Sequence, residues 1–344
     1  EKNNLMDIEE YSPKSTLIVP GHPVKRSKYP FIDVHNHQFD MPIKNLPKLV
    51  SEMDSLNMAF MINLSGFRGL YLRKSLENIK KNAPTRFGLF LNIDFEDIDN
   101  KFFSETQVAL IDSAVKAGVM GLKVYKSLGL TSKDNKGARI AINDIRLDPI
   151  WKACGDNNIP VLIHSGEPAS FWNPKDKFNE RWLELRQKPN RYRDPEINPS
   201  FEEVIAEQHD VFRKHPNTTF INAHLGWMGN DLDRLGEHLD LYPNVLTEIG
   251  AVLAEIGRQP IRAKQFFTTY QDRILFGKDS YNVSEYYTYF RVLETNDEYF
   301  EYYRKRHAHW RMYGLALPDS VLKKLYYKNA LKLFPKIDSN LFKN

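Results

Sequence analysis

The chain has 344 residues, with 48 Lys+Arg against 44 Asp+Glu, one cysteine and 42% hydrophobic residues. At this size about three quarters of the unfolded surface can be buried without help from a disulfide or metal, and Cys154 by itself excludes an intrachain disulfide framework. The net charge of +4 gives nucleic-acid binding no electrostatic support, and no apolar run approaches the ~18–20 residues of a membrane span.

Residues 1–30 are polar and broken by Pro13, Pro20, Gly21, Pro23 and Pro30, which predicts an extended N-terminal arm on a body, 31–344, that starts at Phe31. From there short apolar, β-branched runs alternate with longer amphipathic stretches. Strands are predicted at 31–35, 58–63, 87–93, 119–125, 160–164, 218–223, 244–248 and 273–277. Strict alternation with helices predicts a (β/α)8 TIM barrel. The rival doubly wound sheet lacks its G-x-G-x-x-G turn. The connections 128–148, 165–200 and 281–317 are longer than a helix requires. In a barrel such long βα loops lie on the catalytic rim, so they predict a lid or pocket wall, with surface insertion as the alternative. Residues 319–334 predict a closing amphipathic helix with Leu322, Leu325, Ala330 and Leu333 as its apolar positions.

His35 and His37 end the first strand, where residues i and i+2 project to one face and two imidazoles can chelate one cation. His307 and His309 lie in a helical-looking stretch, where i and i+2 diverge by roughly 200° and cannot share a metal. His164 ends the fifth strand, His224 the sixth, and Asp279 follows the eighth; all stand at the rim where barrels build active sites. Alternation places Asp33, His35 and His37 on one face, Asn222 and His224 on another, and Gly277 with Asp279. On this parity the polar set points inward, while Ile32, Val34, Ile221, Ala223, Ile274 and Phe276 face the helices. Lys123 shares its face with Gly121 and Tyr125. Its ammonium would be repelled by a metal, so it is either a carbamate formed with CO2, or a snorkelling lysine, or a partner of Glu248.

The ordered motifs FIDVHNH, GLKVYKSLG, VLIHSGEP, TTFINAHLGW, ILFGKDS and LYYKNALKLF span residues 31 to about 335. Together they resemble the amidohydrolase superfamily, with wording closest to its amidohydrolase-related (amidohydrolase 2) branch, which also contains decarboxylases. The resemblance implies a (β/α)8 barrel with a divalent-metal centre at the C-terminal rim. His35, His37 and Asp279 would hold the first metal, His164 and His224 a second metal or the substrate, and Lys123, as a carboxylated lysine, would bridge. Lys278 departs from the small residue commoner before the aspartate, but its parity points it away from the metal. The resemblance also leans towards an exported or periplasmic protein, because relatives with such a proline-rich arm often follow a signal peptide.

The imidazole-rich set suits Zn²⁺, one or two per chain, with Mn²⁺, Fe²⁺ or Co²⁺ as alternatives. The leading expectation is a metal-dependent hydrolase of esters, lactones or amides. In it metal-generated hydroxide attacks a carbonyl that His224 or the metal polarises, and Asp279 acts as general base. The alternative is a mononuclear-metal decarboxylase of an aromatic or unsaturated carboxylic acid. A third reading is a non-catalytic barrel binding an aromatic or sugar ligand through the tyrosine-rich 281–303 segment. Arg68 and Arg139 are candidates for an anionic group, and Glu167, Trp172 and Glu248 are candidate substrate contacts. The expected partner is a small-molecule substrate; a homo-oligomer is left open.

Overall fold

The apolar runs form strands β1 (Phe31–Asn36), β2 (Met58–Asn63), β3 (Phe87–Asn92), β4 (Gly121–Val124), β5 (Val161–Ile163), β6 (Phe220–Asn222), β7 (Val245–Glu248) and β8 (Ile274–Leu275) in a computed structural model that describes residues 6–7 and 10–343. Neighbours pair in parallel in the order β1 to β8. Bonds from Val34 N to Phe276 O (3.0 Å) and from Asp279 N to His35 O (2.6 Å) close the ring. The architecture is a (β/α)8 TIM barrel. Local chemistry sets the helices between the strands. Before Phe201–Lys214, Ser200 Oγ accepts from Glu203 N at 3.1 Å, with Glu202 and Glu203 in the first turn and Arg213 and Lys214 in the last, matching the helix dipole. That helix buries Val204, Ile205, Val211 and Phe212.

Two apolar layers follow from the pleat. Leu89, Leu91, Leu122, Val124, Phe220 and Phe276 pack with the surrounding helices. Ile32, Val34, Phe60, Ile62, Phe90, Leu162, Ile221, Ala223 and Leu275 form a separate cluster drawn from six strands, which places them inside the barrel. Ala330, Phe334, Ile337 and Phe342 join that cluster and seal the barrel floor.

This inner cluster overturns part of the alternation argument. Ile32 and Val34 point inward, whereas Asp33 faces outward, accepting from Tyr286 OH at 2.6 Å. The cause is a register shift between Asp33 and Asn36, where β1 holds one residue more than β2. Such a bulge re-aims side chains, and it brings His35 to the inner face above Val34. On β6, Ile221 and Ala223 are also interior, and Asn222 Oδ1 accepts from Gln208 Nε2 on the helix side at 3.1 Å. His224 reaches the rim because the chain turns left-handed there, with φ of 59°, 54°, 60° and 56° at His224, Leu225, Gly226 and Trp227. On β8 the expected parity holds: Phe276 packs outward, and Lys278 Nζ turns away to Ser280 O and Glu285.

Residues 11–30 form neither helix nor strand. They are tied down through Ser27 Oγ to Leu56 O and through His22 to Asp297. In the segment after β8, the helix Val283–Glu294 buries Tyr286, Tyr289 and Phe290 as core. The stretch 301–311, which looked helical, is irregular instead. Residues 319–333 are helical, with a π-turn at Lys324–Lys328 inside the run. Among the described residues, no helix is long and apolar enough to cross a membrane.

Candidate metal centre

The site is built where β1, β5, β6, β7 and β8 end. His35, His37 and Asp279 offer ligand atoms that all lie within 4.8 Å of one another. Asp279 Oδ1 stands 3.5 Å from His35 Nε2 and 3.6 Å from His37 Nε2. The partners of the other ring nitrogens fix what these atoms are. His35 Nδ1 meets Glu248 Oε1 at 2.9 Å, an acceptor, so Nδ1 carries the proton and the buried Nε2 is left with a lone pair and no partner. His224 Nδ1 donates to Gly250 O at 2.7 Å. Its Nε2 then accepts from His164 Nδ1 at 3.2 Å, which leaves the buried His164 Nε2 with a lone pair and no partner. His37 Nδ1 lies 2.7 Å from Ser65 Oγ, itself 3.1 Å from Tyr125 OH, so His37 also presents Nε2.

Burial drives the His35 and His164 pKa values well below the ordinary range, and drives His37 down to about 4, with the Lys123 charge adding to the effect on each. Burial pushes Asp279 up, but facing His35, His224, His37 and Lys123 outweigh it and hold its carboxyl at about 2. Near neutral pH the ring therefore consists of neutral imidazoles facing a carboxylate. Lone pairs and a carboxylate oxygen at 3.5 Å repel one another unless a cation lies between them, and neutral imidazole with carboxylate is a transition-metal donor set. The residues present fit a divalent ion.

Glu248 is fully buried behind the ring, and not on the cavity wall. Its Oε1 accepts from His35 Nδ1 and from His224 N (2.6 Å), and its Oε2 accepts from Gly250 N (2.5 Å). His35, His224 and Glu248 form a second grouping close enough for an ion, but these hydrogen bonds already occupy the carboxylate. Lys123 is buried on the inner face, and its Nζ has no hydrogen-bond partner among the described residues; Tyr125 lies below it at 5.5 Å. Burial lowers its pKa to about 8. The left-handed turn after β6 stacks Trp227 on His224, ring centroids 4.5 Å apart.

Three hollows surround the ring. Lys123 and Tyr125 line one of about 350 Å³, and His37, Phe39, Asp279 and Tyr281 line one of about 460 Å³. The third lies beside His164, His224 and Asp279, and its wall includes Lys126, Glu167, Arg181, Arg304 and His307. Of the remaining predicted contacts, Arg68 pairs with Asp94 at 2.5 Å and Arg139 pairs with Glu203 and Glu207. Trp172 donates from its indole to Pro199 O at 2.8 Å and packs on Phe201. Sequence reasoning missed Arg304 and His307. The irregular course of 301–311 brings both to the cavity, so a helical periodicity could not have found them; the length of the loop after β8 was the available signal.

The buried imidazoles make acid stability a direct test. A histidine held neutral by the fold is protonated first in the unfolded chain, so stability is lost as pH falls below the unfolded value of about 6.5, and the loss levels off where the folded form also protonates. At ~1.4 kcal/mol per pKa unit, His37, held at about 4, contributes a loss of about 3 kcal/mol across that window. Buried Asp33, raised to about 7, works the other way over the same window, so urea unfolding of chelator-treated protein from pH 7 to pH 4 is compared with a His37→Asn variant, and wild type is expected to lose more stability than the variant. A wild-type profile no steeper than the variant's would mean that His37 is not held neutral.

A family model described as amidohydrolase matches residues 78–336. No curated protein matches the sequence. Among solved structures, the chain is similar to an uncharacterised TIM-barrel protein from Bordetella bronchiseptica, with a TM-score of 0.56 and 14% identity, covering 89% of this chain and 99% of that one. It is also similar to a dihydroxybenzoic acid decarboxylase from Polaromonas sp. JS666 with bound manganese and the inhibitor 2-nitroresorcinol, with a TM-score of 0.54 and 15% identity over 92% and 100% of the two chains. A third is 2,6-dihydroxybenzoate decarboxylase from Rhizobium, with a TM-score of 0.52 and 14% identity over 89% and 99%. At these identities the likeness is one of fold.

Proposed function

The chain belongs to the amidohydrolase family, and from that premise and the geometry of the rim we propose that it is a metal-dependent decarboxylase acting on an aromatic or unsaturated carboxylic acid. The observation that carries this reading is the single compact donor group, His35, His37 and Asp279, whose Nε2 atoms face one carboxylate oxygen. His164 Nε2 supports it as a further donor. The neighbouring group with Glu248 is already hydrogen-bonded, which favours one ion over two. The cation-rich hollow beside the ring suits an acid, and two solved structures of the same fold are decarboxylases by name. Zn²⁺ and Mn²⁺ both suit the donors.

His35, His37 and Asp279 would hold a divalent ion, which would supply Lewis acidity to a substrate carboxylate. The chain's own residues do the rest. Trp227 and the apolar barrel interior keep water from the inner side of the ring. Asp279, whose side chain is 34% exposed, is ionised near neutral pH and would relay to the carbon a proton drawn from water. The C–H bond forms as the C–CO2 bond breaks, with the electron pair of the broken bond retained on carbon.

A second reading, hydrolysis with Asp279 as general base, is favoured by Lys123. An unpartnered amine at about 8 keeps the neutral population that reaction with CO2 requires, and the carbamate would bridge two ions. Incubation of metal-loaded protein with hydroxybenzoates in D2O separates the two readings. Decarboxylation is expected to release CO2 and leave one deuterium on the carbon that lost it. Turnover of esters or lactones, without CO2 from any acid, would replace this reading with the hydrolytic one.

A further inference from the structure

The imidazoles of the ring are anchored by groups of two kinds. His35 Nδ1 meets a carboxylate and His224 Nδ1 a backbone carbonyl, groups that can only accept. His37 Nδ1 meets a hydroxyl, Ser65 Oγ at 2.7 Å, which can accept or donate. If Ser65 accepts, the His37 proton stays on Nδ1 and Nε2 keeps its lone pair. If Ser65 donates, the proton moves to Nε2, where no ion could then bind. The immediate neighbour of His37 therefore does not settle which nitrogen is free.

The choice is made further out. Ser65 is fully buried, and its Oγ lies 3.1 Å from Tyr125 OH, which in turn reaches Leu64 O at 3.3 Å. That carbonyl is fixed in place. Asn92 Nδ2 donates to it at 2.9 Å, and Leu64 N donates to Asn36 O at 2.8 Å on β1. A carbonyl never donates, so it sets the direction of the chain. Running outward, His37 Nδ1–H, Ser65 O–H and Tyr125 O–H each find an acceptor, and every proton is used. Running inward, Tyr125 donates to Ser65 and Ser65 to His37. The remaining proton, on Nε2, then faces Asp279 Oδ1 at 3.6 Å, too far for a hydrogen bond. The outward order wins by one bond, and that bond is the one to Leu64 O.

We propose that Ser65 and Tyr125 are positioning residues: their hydroxyls, anchored on Leu64 O, keep the His37 proton on Nδ1 and its Nε2 open to a divalent ion. The Tyr125 hydroxyl reaches His37 only through Ser65. The inference rests on His37 being a ligand of the proposed centre, and not on the reaction run there. Tyr125→Phe removes the oxygen and keeps the ring, which stacks near His37 with centroids 5.9 Å apart. In that variant the Ser65 proton is left with His37 Nδ1 as its acceptor. The order then reverses, because a buried donor without a partner is costly.

The test reads the proton itself. Long-range proton–nitrogen NMR of chelator-treated protein near neutral pH distinguishes the two tautomers, with His37 assigned by the loss of its signals in His37→Asn. Wild type is expected to carry the proton on Nδ1 and Tyr125→Phe on Nε2. Zn²⁺ affinity, measured by chelator competition, is expected to fall about 10–100-fold in Tyr125→Phe, the usual effect of losing a support behind a ligand. Ser65→Ala is expected to lose affinity as well, and it carries the test if Tyr125→Phe does not fold. Adding Tyr125→Phe to Ser65→Ala is expected to change the affinity by less than about twofold, since the relay is already cut. The proposal is overturned if wild-type His37 carries its proton on Nε2, or if neither single variant moves it. It is also overturned if Tyr125→Phe weakens Zn²⁺ binding equally with and without Ser65→Ala. A wild type with the proton on Nδ1 that binds no Zn²⁺ keeps the relay and loses the metal-centre reading. Equal Zn²⁺ binding by wild type and both variants does the reverse.

Discussion

Replacing Asp279 with Asn is expected to abolish turnover, by a factor of about 10²–10⁴ if proton transfer alone is lost, while thermal unfolding stays close to wild type. The substitution keeps shape and removes charge. Asp279 has φ of 79°, a left-handed conformation that Asn tolerates almost alone among isosteric replacements, and its backbone bond to His35 O is unaffected. What disappears is the anionic oxygen facing His35 and His37, so bound metal per chain should fall as well. Steady-state kinetics, elemental analysis and a melting curve on one preparation decide the matter. Full turnover would remove Asp279 from the chemistry, and a collapsed melting temperature would make it a folding residue.

Glu248→Ala should do the opposite to the balance of effects, striking stability as hard as function. The carboxylate is fully buried and accepts from His35 Nδ1, His224 N and Gly250 N. Without it three buried donors are left unsatisfied at ~1–3 kcal/mol each, so a loss of several kcal/mol is expected in chemical denaturation. The bond to Glu248 also keeps the His35 proton on Nδ1. Loss of such a support typically weakens metal binding 10–100-fold. Glu248→Gln offers one acceptor oxygen in place of two and should fall between alanine and wild type. Wild-type metal affinity in the alanine variant would show that His35 needs no such anchor.

The barrel itself was open to reading because each strand's apolar run and the helix-length gap after it are local signals. The histidines and Asp279 were equally visible, since their strand ends are set by position along the chain. What alternation could not carry was direction. It assumes an unbroken pleat, and β1 breaks it with one extra residue between Asp33 and Asn36. At β6 it fails for a related reason, because His224 leaves the strand through a left-handed turn. Both departures occur at the site, and both deliver a histidine to a place that a regular strand would not reach. Arg304 and His307 were out of reach for another reason. The course of a loop without periodicity is decided by distant partners, here Ser280 and Glu184, whose proximity no local pattern encodes.

The apolar floor of the barrel has a kinetic consequence. Ala330, Phe334, Ile337 and Phe342 stopper one end, and the filled interior above them leaves no passage through the barrel axis. Under the proposed chemistry reactant and products would then enter and leave on the opposite rim. A product still bound at the ring would block the next reactant and so compete with it. Residues lining that rim would govern throughput even where they touch no reacting atom.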